Sequence, residues 1–259
     1  MKVVILTSSM YGTASHHLPY LLAEKDISVA MVIYNEGAIP NKNKFYRKKI
    51  QKIFRIGFLG TINGIRMRKW YGENVLKYTL IENLEELCKK HTIPFLVTPS
   101  LNTETTVELF KKSGADIGLS LGNGYIGKKV FGIPPLGMLN IHHEILPQYQ
   151  NAQSVIWQLY NGSPITGYTI HKIDKGIDTG AILLTESVPI VFEKSLADTV
   201  SHSIAALYDK SAKGLVDVLN DFETYNNAAK PQGKGNSYTT PAIWQYFKIY
   251  RQFRKLRGK

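Results

Sequence analysis

Short apolar runs alternate with helix-period segments across the first 140 residues of this chain. KVVILT (2–7) reads as a buried strand, and helical spacing follows over 15–25. ISVAMVIY (27–34) is a second strand, followed by a basic stretch. IENLEELCKKH (81–91) carries apolar residues at helical spacing, and IPFLVTP (93–99) is strand-like. TVELFKKSG (106–114) reads as a helix closed by a glycine, and DIGLSL (116–121) and GMLNIHH (137–143) are further strands. This alternation predicts an α/β fold with a doubly wound, mostly parallel sheet.

Past residue 150 the pattern changes. AQSVIWQLYN (152–161) suits a helix. ITGYTIHKI (165–173) and GAILLTESVPI (180–190) flank the turn DKGIDTG, which predicts an antiparallel hairpin at the sheet edge. A long helix fits 195–222, and 230–241 is loop-like. The expected organisation is a main domain over 1–191, with a helical and basic extension over 192–259 packed on it.

Composition narrows the class. With 259 residues, 44% hydrophobic and 20% charged, the chain can bury a large core. Its longest apolar runs are strand-sized, short of the roughly 20 residues of a membrane span. Ser8, Ser9 and Gly12 interrupt any signal-peptide core after Met1. The single cysteine, Cys88, excludes an internal disulfide framework and fits a reducing, cytoplasmic setting. It shares the apolar side of its helix with Leu84 and Leu87 and reads as packing.

The net charge of +12 is concentrated. Residues 41–72 hold ten Lys/Arg and no acid, and residues 242–259 hold six more and no acid. The remainder has 16 basic and 20 acidic residues, so the body is not basic. Region 44–58 has the spacing of a basic amphipathic helix. The tail places Trp244, Phe247, Tyr250 and Phe253 at every third residue. Such segments can dock on the body or on a second subunit, or can meet phosphates, RNA or an anionic inner-membrane surface.

LSLGNGYIG (119–127) matches G-x-G-x-x-G through Gly122, Gly124 and Gly127. A dinucleotide site needs a helix after the last glycine, whose N–H groups hold the pyrophosphate. Only KKVFGIPPLG separates Gly127 from the next strand, and Gly132, Pro134 and Pro135 limit any helix there. The match is one of letters, and nicotinamide binding is not expected.

Residues 139–183 carry the denser signal. Asn140 and His142 are two apart on a strand, so they share one face. Near the strand's carboxyl end they project into the crevice where open α/β sheets bind ligands. The hairpin turn adds Asp174 and Asp178. A carboxylate beside an imidazole raises its basicity and fixes its tautomer. Amide, imidazole and carboxylate together can polarise a carbonyl and move a proton, which is the equipment of acyl transfer. Singly, each residue also fits a bland role, as strand-end amide, core histidine or turn former.

The set resembles the folate-dependent formyltransferases. Asn140-Ile-His142, Ile145-Leu146-Pro147, Asn161-Gly162, Thr166-Gly167 and Asp174 through Gly180 follow the family pattern. The likeness is specific over about 116–191, with a later Gln…Tyr segment at 231–238. It implies that 1–191 is the catalytic domain and that 10-formyltetrahydrofolate is the formyl donor, with no metal required. By motif, Asn140 would bind the oxyanion, His142 would move the proton, and Asp178 would pair with His142. The pterin would lie on Asn123, Gly124, Tyr125 and Ile126, closed on its other side by Asp174, Lys175 and Gly176.

The resemblance also bears on the acceptor. Methionyl-tRNA formyltransferases carry a C-terminal barrel of about 100 residues, whereas only 69 residues follow Ile190 and many read as helical. This argues against tRNA as partner. Within the family the chain looks most like the branch acting on nucleotide-linked amino sugars, GDP-perosamine N-formyltransferases above all, enzymes of O-antigen biosynthesis; a homodimer is expected. Many members have Arg-Gly after the Leu-Pro-x-Tyr run, where this chain has Gln150-Asn151-Ala152-Gln153. Tyr149, Gln150, Asn151 and Gln153 are therefore the expected sugar contacts.

Overall fold

The structure is a computed structural model that describes residues 1–38 and 42–258. Asn41 and Lys259, end residues of the two basic segments, lie outside that set. The chain runs β1 (Lys2–Thr7), α1 (Thr13–Leu22), β2 (Ser28–Asn35), α2 (Lys42–Met67), α3 (Leu84–Lys90), β3 (Phe95–Thr98), α4 (Glu104–Ser113) and β4 (Ile117–Ser120). It continues α5 (Lys128–Phe131), β5 (Met138–His142), α6 (Ile156–Tyr160), β6 (Ile165–Lys172), β7 (Ile182–Pro189), α7 (Leu196–Asn220), α8 (Phe222–Asn227) and α9 (Ile243–Arg257).

The seven strands form one sheet in the order β3-β2-β1-β4-β5-β6-β7. Pairings from β3 through β5 are parallel, and β5–β6 and β6–β7 are antiparallel. This is the predicted doubly wound sheet with its edge hairpin. In β1, Val3 and Ile5 pack into one helical layer, with α1, α3 and α7, while Val4 and Leu6 pack into the other, with α4. A strand buried on both faces has no alternation to display, hence the continuous apolar run. Cys88 is buried among these packing residues, as read.

The helices begin and end on local signals. The Asn83 side chain accepts from the N–H groups of Glu85 and Glu86 at the start of α3. Ser195 does the same for Asp198 at the start of α7. Gly114 ends α4 at φ 57, the left-handed conformation that glycine adopts without strain.

Three segments differ from expectation. The helix expected over 152–161 is present only as α6, because Asn151 and Val155 sit at φ 51 and 70. Residues between them form a strap beside the sheet rather than a helical turn. α2 runs on to Met67, with a break at Gly57 (φ 76). Before the break, Phe54 is 84% exposed; after it, Asn63 and Met67 are buried, followed by Trp70. In α9, Ile249 and Phe253 are buried while Trp244, Phe247 and Tyr250 are exposed. Three-residue spacing drifts about 60° per step around a helix, so the docked face follows the i, i+4 pair instead. Among the described residues no helix is long and apolar enough to cross a membrane.

Candidate functional site

Strand order reverses at β1/β4, and the crevice beyond the carboxyl ends of the parallel strands is the expected ligand site. A cavity of about 430 Å³ lies there. Its walls are the loop after β4, the end of β5, the strap at 151–153 and the turn between β6 and β7. Asn140, His142 and Asp178 all reach it.

Asn140 and His142 share a face of β5 because they are two apart, and β6 supplies their cross-strand partners, His171 and Thr169. Nδ2 of Asn140 lies 3.1 Å from Nε2 of His171. Nδ1 of His171 lies 2.8 Å from the Lys172 carbonyl oxygen, which can only accept. Nδ1 therefore carries the hydrogen, and Nε2 accepts from the Asn140 amide. That bond fixes the amide's orientation and leaves its second N–H for a ligand. Burial holds the His171 imidazole below the usual histidine range, although the Lys172 carbonyl and Asp178 act against it.

His142 is oriented in a similar way. Its Nε2 donates to the Tyr149 carbonyl oxygen at 2.9 Å, so in the neutral ring Nδ1 bears the lone pair. Nδ1 lies 3.8 Å from Oδ2 of Asp178, longer than a hydrogen bond, and His171 Nε2 is 3.8 Å from Oδ1. One carboxylate thus faces both imidazoles. Asp178 sits at φ 54, a conformation that few non-glycine residues adopt. Oδ2 accepts from the Asn151 N–H at 2.9 Å, and the Asp178 carbonyl accepts from Gln150 Nε2 at 3.3 Å. The strap therefore clamps the carboxylate in place.

Across the cavity the loop after β4 is braced by side chains. Ser8 Oγ donates to Asn123 Oδ1 at 2.9 Å, and Asn123 Nδ2 donates to Ser120 Oγ and to the Leu6 carbonyl. Asn123 thus offers a ligand its backbone, since its side chain is occupied. Gly122 lies at φ 83, which lets the loop turn sharply over the end of β1. Asn102 bonds the Tyr125 carbonyl and the Gly127 N–H, at 3.0 and 2.6 Å. Among the described residues the N–H groups of Gly124, Tyr125 and Ile126 donate to no protein acceptor. They edge the cavity and suit the polar rim of a flat heterocycle. The helix after Gly127 is the four-residue α5, too short for a dinucleotide site.

The remaining expected residues divide. Asp174 and Gly176 line the cavity, and Asp174 Oδ1 accepts from the Gly176 N–H (2.9 Å) and Thr179 Oγ1 (2.6 Å), which folds the turn. Lys175 is not among the lining residues. Asn151 and Gln153 line it, whereas Tyr149 and Gln150 do not. The backbone of Gln150 pairs with 236–238, and the Tyr149 ring stacks on Tyr238 with centroids 5.5 Å apart. These two support the strap rather than face the cavity. His171 is the site residue that spacing along β5 could not reveal; the antiparallel pairing of the hairpin supplies it. Among the described residues no group of three or more His, Cys, Asp or Glu is placed to hold a metal ion.

The formyl transferase family profile matches residues 90–219, half of the chain and the part that contains this cavity's β4, β5 and hairpin walls. The chain belongs to the formyl transferase family. Over 106 residues this formyl transferase is 38% identical to the methionyl-tRNA formyltransferase of Syntrophus aciditrophicus, covering 40% of the chain and 34% of that relative. Over 161 residues it is 29% identical to the methionyl-tRNA formyltransferase of Thermotoga maritima, covering 62% and 50%. The chain thus spans half or less of the length of these curated relatives. In fold it resembles a sugar N-formyltransferase from a Shewanella species (TM-score 0.58, 15% identity, 97% of this chain and 87% of that one). It also resembles the phosphoribosylglycinamide formyltransferase of Bacillus halodurans (TM-score 0.56, 19% identity, 86% and 97%).

Proposed function

We propose that this formyl transferase moves a formyl group from 10-formyltetrahydrofolate to the primary amine of a nucleotide-linked amino sugar, with GDP-perosamine as the acceptor within that class. The observation that carries the reading is one cavity holding Asn140, His142 and Asp178 opposite a loop of free N–H groups at Gly124–Ile126. The bound folate supplies an activated formyl carbon. Asn140, oriented by His171, donates its second N–H to the oxygen that gains charge when the amine attacks. His142 accepts the amine proton at Nδ1, and Asp178 stabilises the resulting imidazolium. The carbon–nitrogen bond to the new amine forms, the bond to the folate nitrogen breaks, and the proton returns to that nitrogen.

On this reading the strap residues Asn151 and Gln153, which line the cavity, would contact the acceptor sugar. Likeness of fold to a sugar N-formyltransferase over nearly the whole chain goes with this reading. Sequence identity to methionyl-tRNA formyltransferases favours a second one, formylation of methionyl-tRNA. An assay with 10-formyltetrahydrofolate, a panel of nucleotide-linked amino sugars and, in parallel, charged tRNA separates them. Turnover of an amino sugar supports the first reading; formylated tRNA with no sugar turned over sinks it.

A further inference from the structure

A second cavity, of about 300 Å³, opens between α2 and the segment leading into α9. Its lining includes Lys49, Lys52, Arg68, Thr240 and Gln153. Gln153 also lines the cavity of Asn140 and His142, so the two spaces meet at this side chain. Its Oε1 is buried and meets no donor among the described residues. An amide oxygen left without a donor gains a hydrogen bond by turning toward a hydroxyl or amine of a ligand placed where the cavities meet.

The charge of this cavity is one-sided. The stretch from 41 to 72 contains no acid, and among the described residues no acid lines the cavity. The lysine–carboxylate ion pairs among the described residues belong to Lys69, Lys77 and Lys129, and none to Lys49 or Lys52. Lys52 lies near Arg68 and Arg55, and burial together with these two cations holds its ammonium below the usual lysine range. Arg55 is tied to Thr239 Oγ1 at 3.1 Å. Lys49 and Arg68 are exposed and Lys52 is half-buried, and like charges gathered around a concavity favour the entry of an anion. These residues line one pocket, and that pocket shares Gln153 with the cavity proposed for amine attack.

We infer that Lys52 and Arg68, with Lys49, form the subsite for the diphosphate of a nucleoside-diphosphate-linked acceptor, and that Gln153 holds the sugar between diphosphate and amine. This rests on the amino-sugar reading above. An amino sugar carries its amine and its diphosphate on different parts of one ring, which matches two cavities joined at one side chain. A guanidinium beside an ammonium suits a diphosphate, because arginine can bond two of its oxygens at once.

Calorimetric titration of the full chain with GDP, UDP and dTDP, and separately with inorganic pyrophosphate, tests the inference without turnover. Nucleoside diphosphates are expected to bind, with affinity falling as salt rises. Lys52→Ala and Arg68→Ala should each weaken them by about 10-fold or more, and Lys52→Arg should restore binding. Affinity for the folate should stay at the wild-type value in all three variants, and thermal melting checks that each is folded. Nucleoside diphosphate binding that ignores both substitutions overturns the inference, as does binding of an RNA oligonucleotide with no binding of any nucleoside diphosphate. Binding that depends on both residues, with no amino sugar turned over, keeps the anion subsite and sinks the acceptor reading.

Discussion

Asn140 and His171 face one another across β5 and β6, with the amide nitrogen 3.1 Å from Nε2, and the Lys172 carbonyl fixes which ring nitrogen accepts. The proposed oxyanion donor is thereby aimed by a neutral, buried histidine. Replacing His171 with phenylalanine removes the acceptor and frees the amide to rotate. The formylation rate should fall by about 10-fold or more, since an oxyanion donor is worth roughly 10²-fold when fully lost. His171→Gln, which can still accept from Asn140, should recover most of the rate. Equal losses in both variants, or a change in folate affinity instead of rate, would count against this positioning role.

Removal of the proposed chemical groups should act on the reaction rather than on binding. Asn140→Ala, His142→Ala and Asp178→Asn are each expected to lower kcat by about 10²-fold or more. Single-turnover formylation measures this directly. Near-normal turnover of His142→Ala or Asp178→Asn would show the mechanism wrong.

Much of this site is legible in the chain because it follows from period and punctuation. The VVIL run of β1 announces a doubly buried strand, and the two-residue spacing of Asn140 and His142 already places them on one face. What is hidden depends on pairing between segments distant in sequence. His171 meets Asn140 only through the β5–β6 register, and a bulge between Ile170 and His171 shifts its pairing to β7. Tyr149 and Gln150 are held by a segment some 85 residues downstream, Gln150 through its backbone pairing with 236–238 and Tyr149 through its ring on Tyr238. The strap of 151–155 replaces a turn of helix because Asn151 and Val155 take positive φ values, which a helix-period pattern of apolar residues does not announce.

α9 contributes through one face. Phe253 is 1% exposed and stacks near Phe192, with centroids 6.5 Å apart, while Phe247 is 64% exposed. Phe253→Ala should cost about 3–5 kcal/mol of unfolding free energy, and Phe247→Ala less than about 0.5 kcal/mol. Urea denaturation measures both. Removing 242–259 should likewise disturb stability more than the chemical step. Equal, small losses for the two phenylalanines would mean that α9 is not anchored as described.

Two buried groups give the fold opposite dependences on pH. Burial, then His142 and His16, pushes the His143 imidazole down to about 3, while its Nε2 lies 3.2 Å from Ser211 Oγ. The unfolded chain takes up a proton there below about pH 6.5 and the folded chain does not, so stability falls as pH falls. Between pH 8 and pH 5 this group alone costs roughly 2 kcal/mol. Glu144 is the reverse: burial holds its carboxyl well above the usual range, and its partner is the Gln158 amide. The folded chain keeps that proton while the unfolded chain loses it above about pH 4.5, so stability falls as pH rises. Glu144→Gln keeps an acceptor for Gln158 and removes the titration. Its stability relative to the wild type should therefore improve from pH 5 to pH 8. His143→Gln should flatten the loss on the acid side. Chemical denaturation of the three proteins at pH 5, 6.5 and 8 reads both effects. A Glu144→Gln difference that shrinks with rising pH would mean the carboxyl is ionised in the folded state.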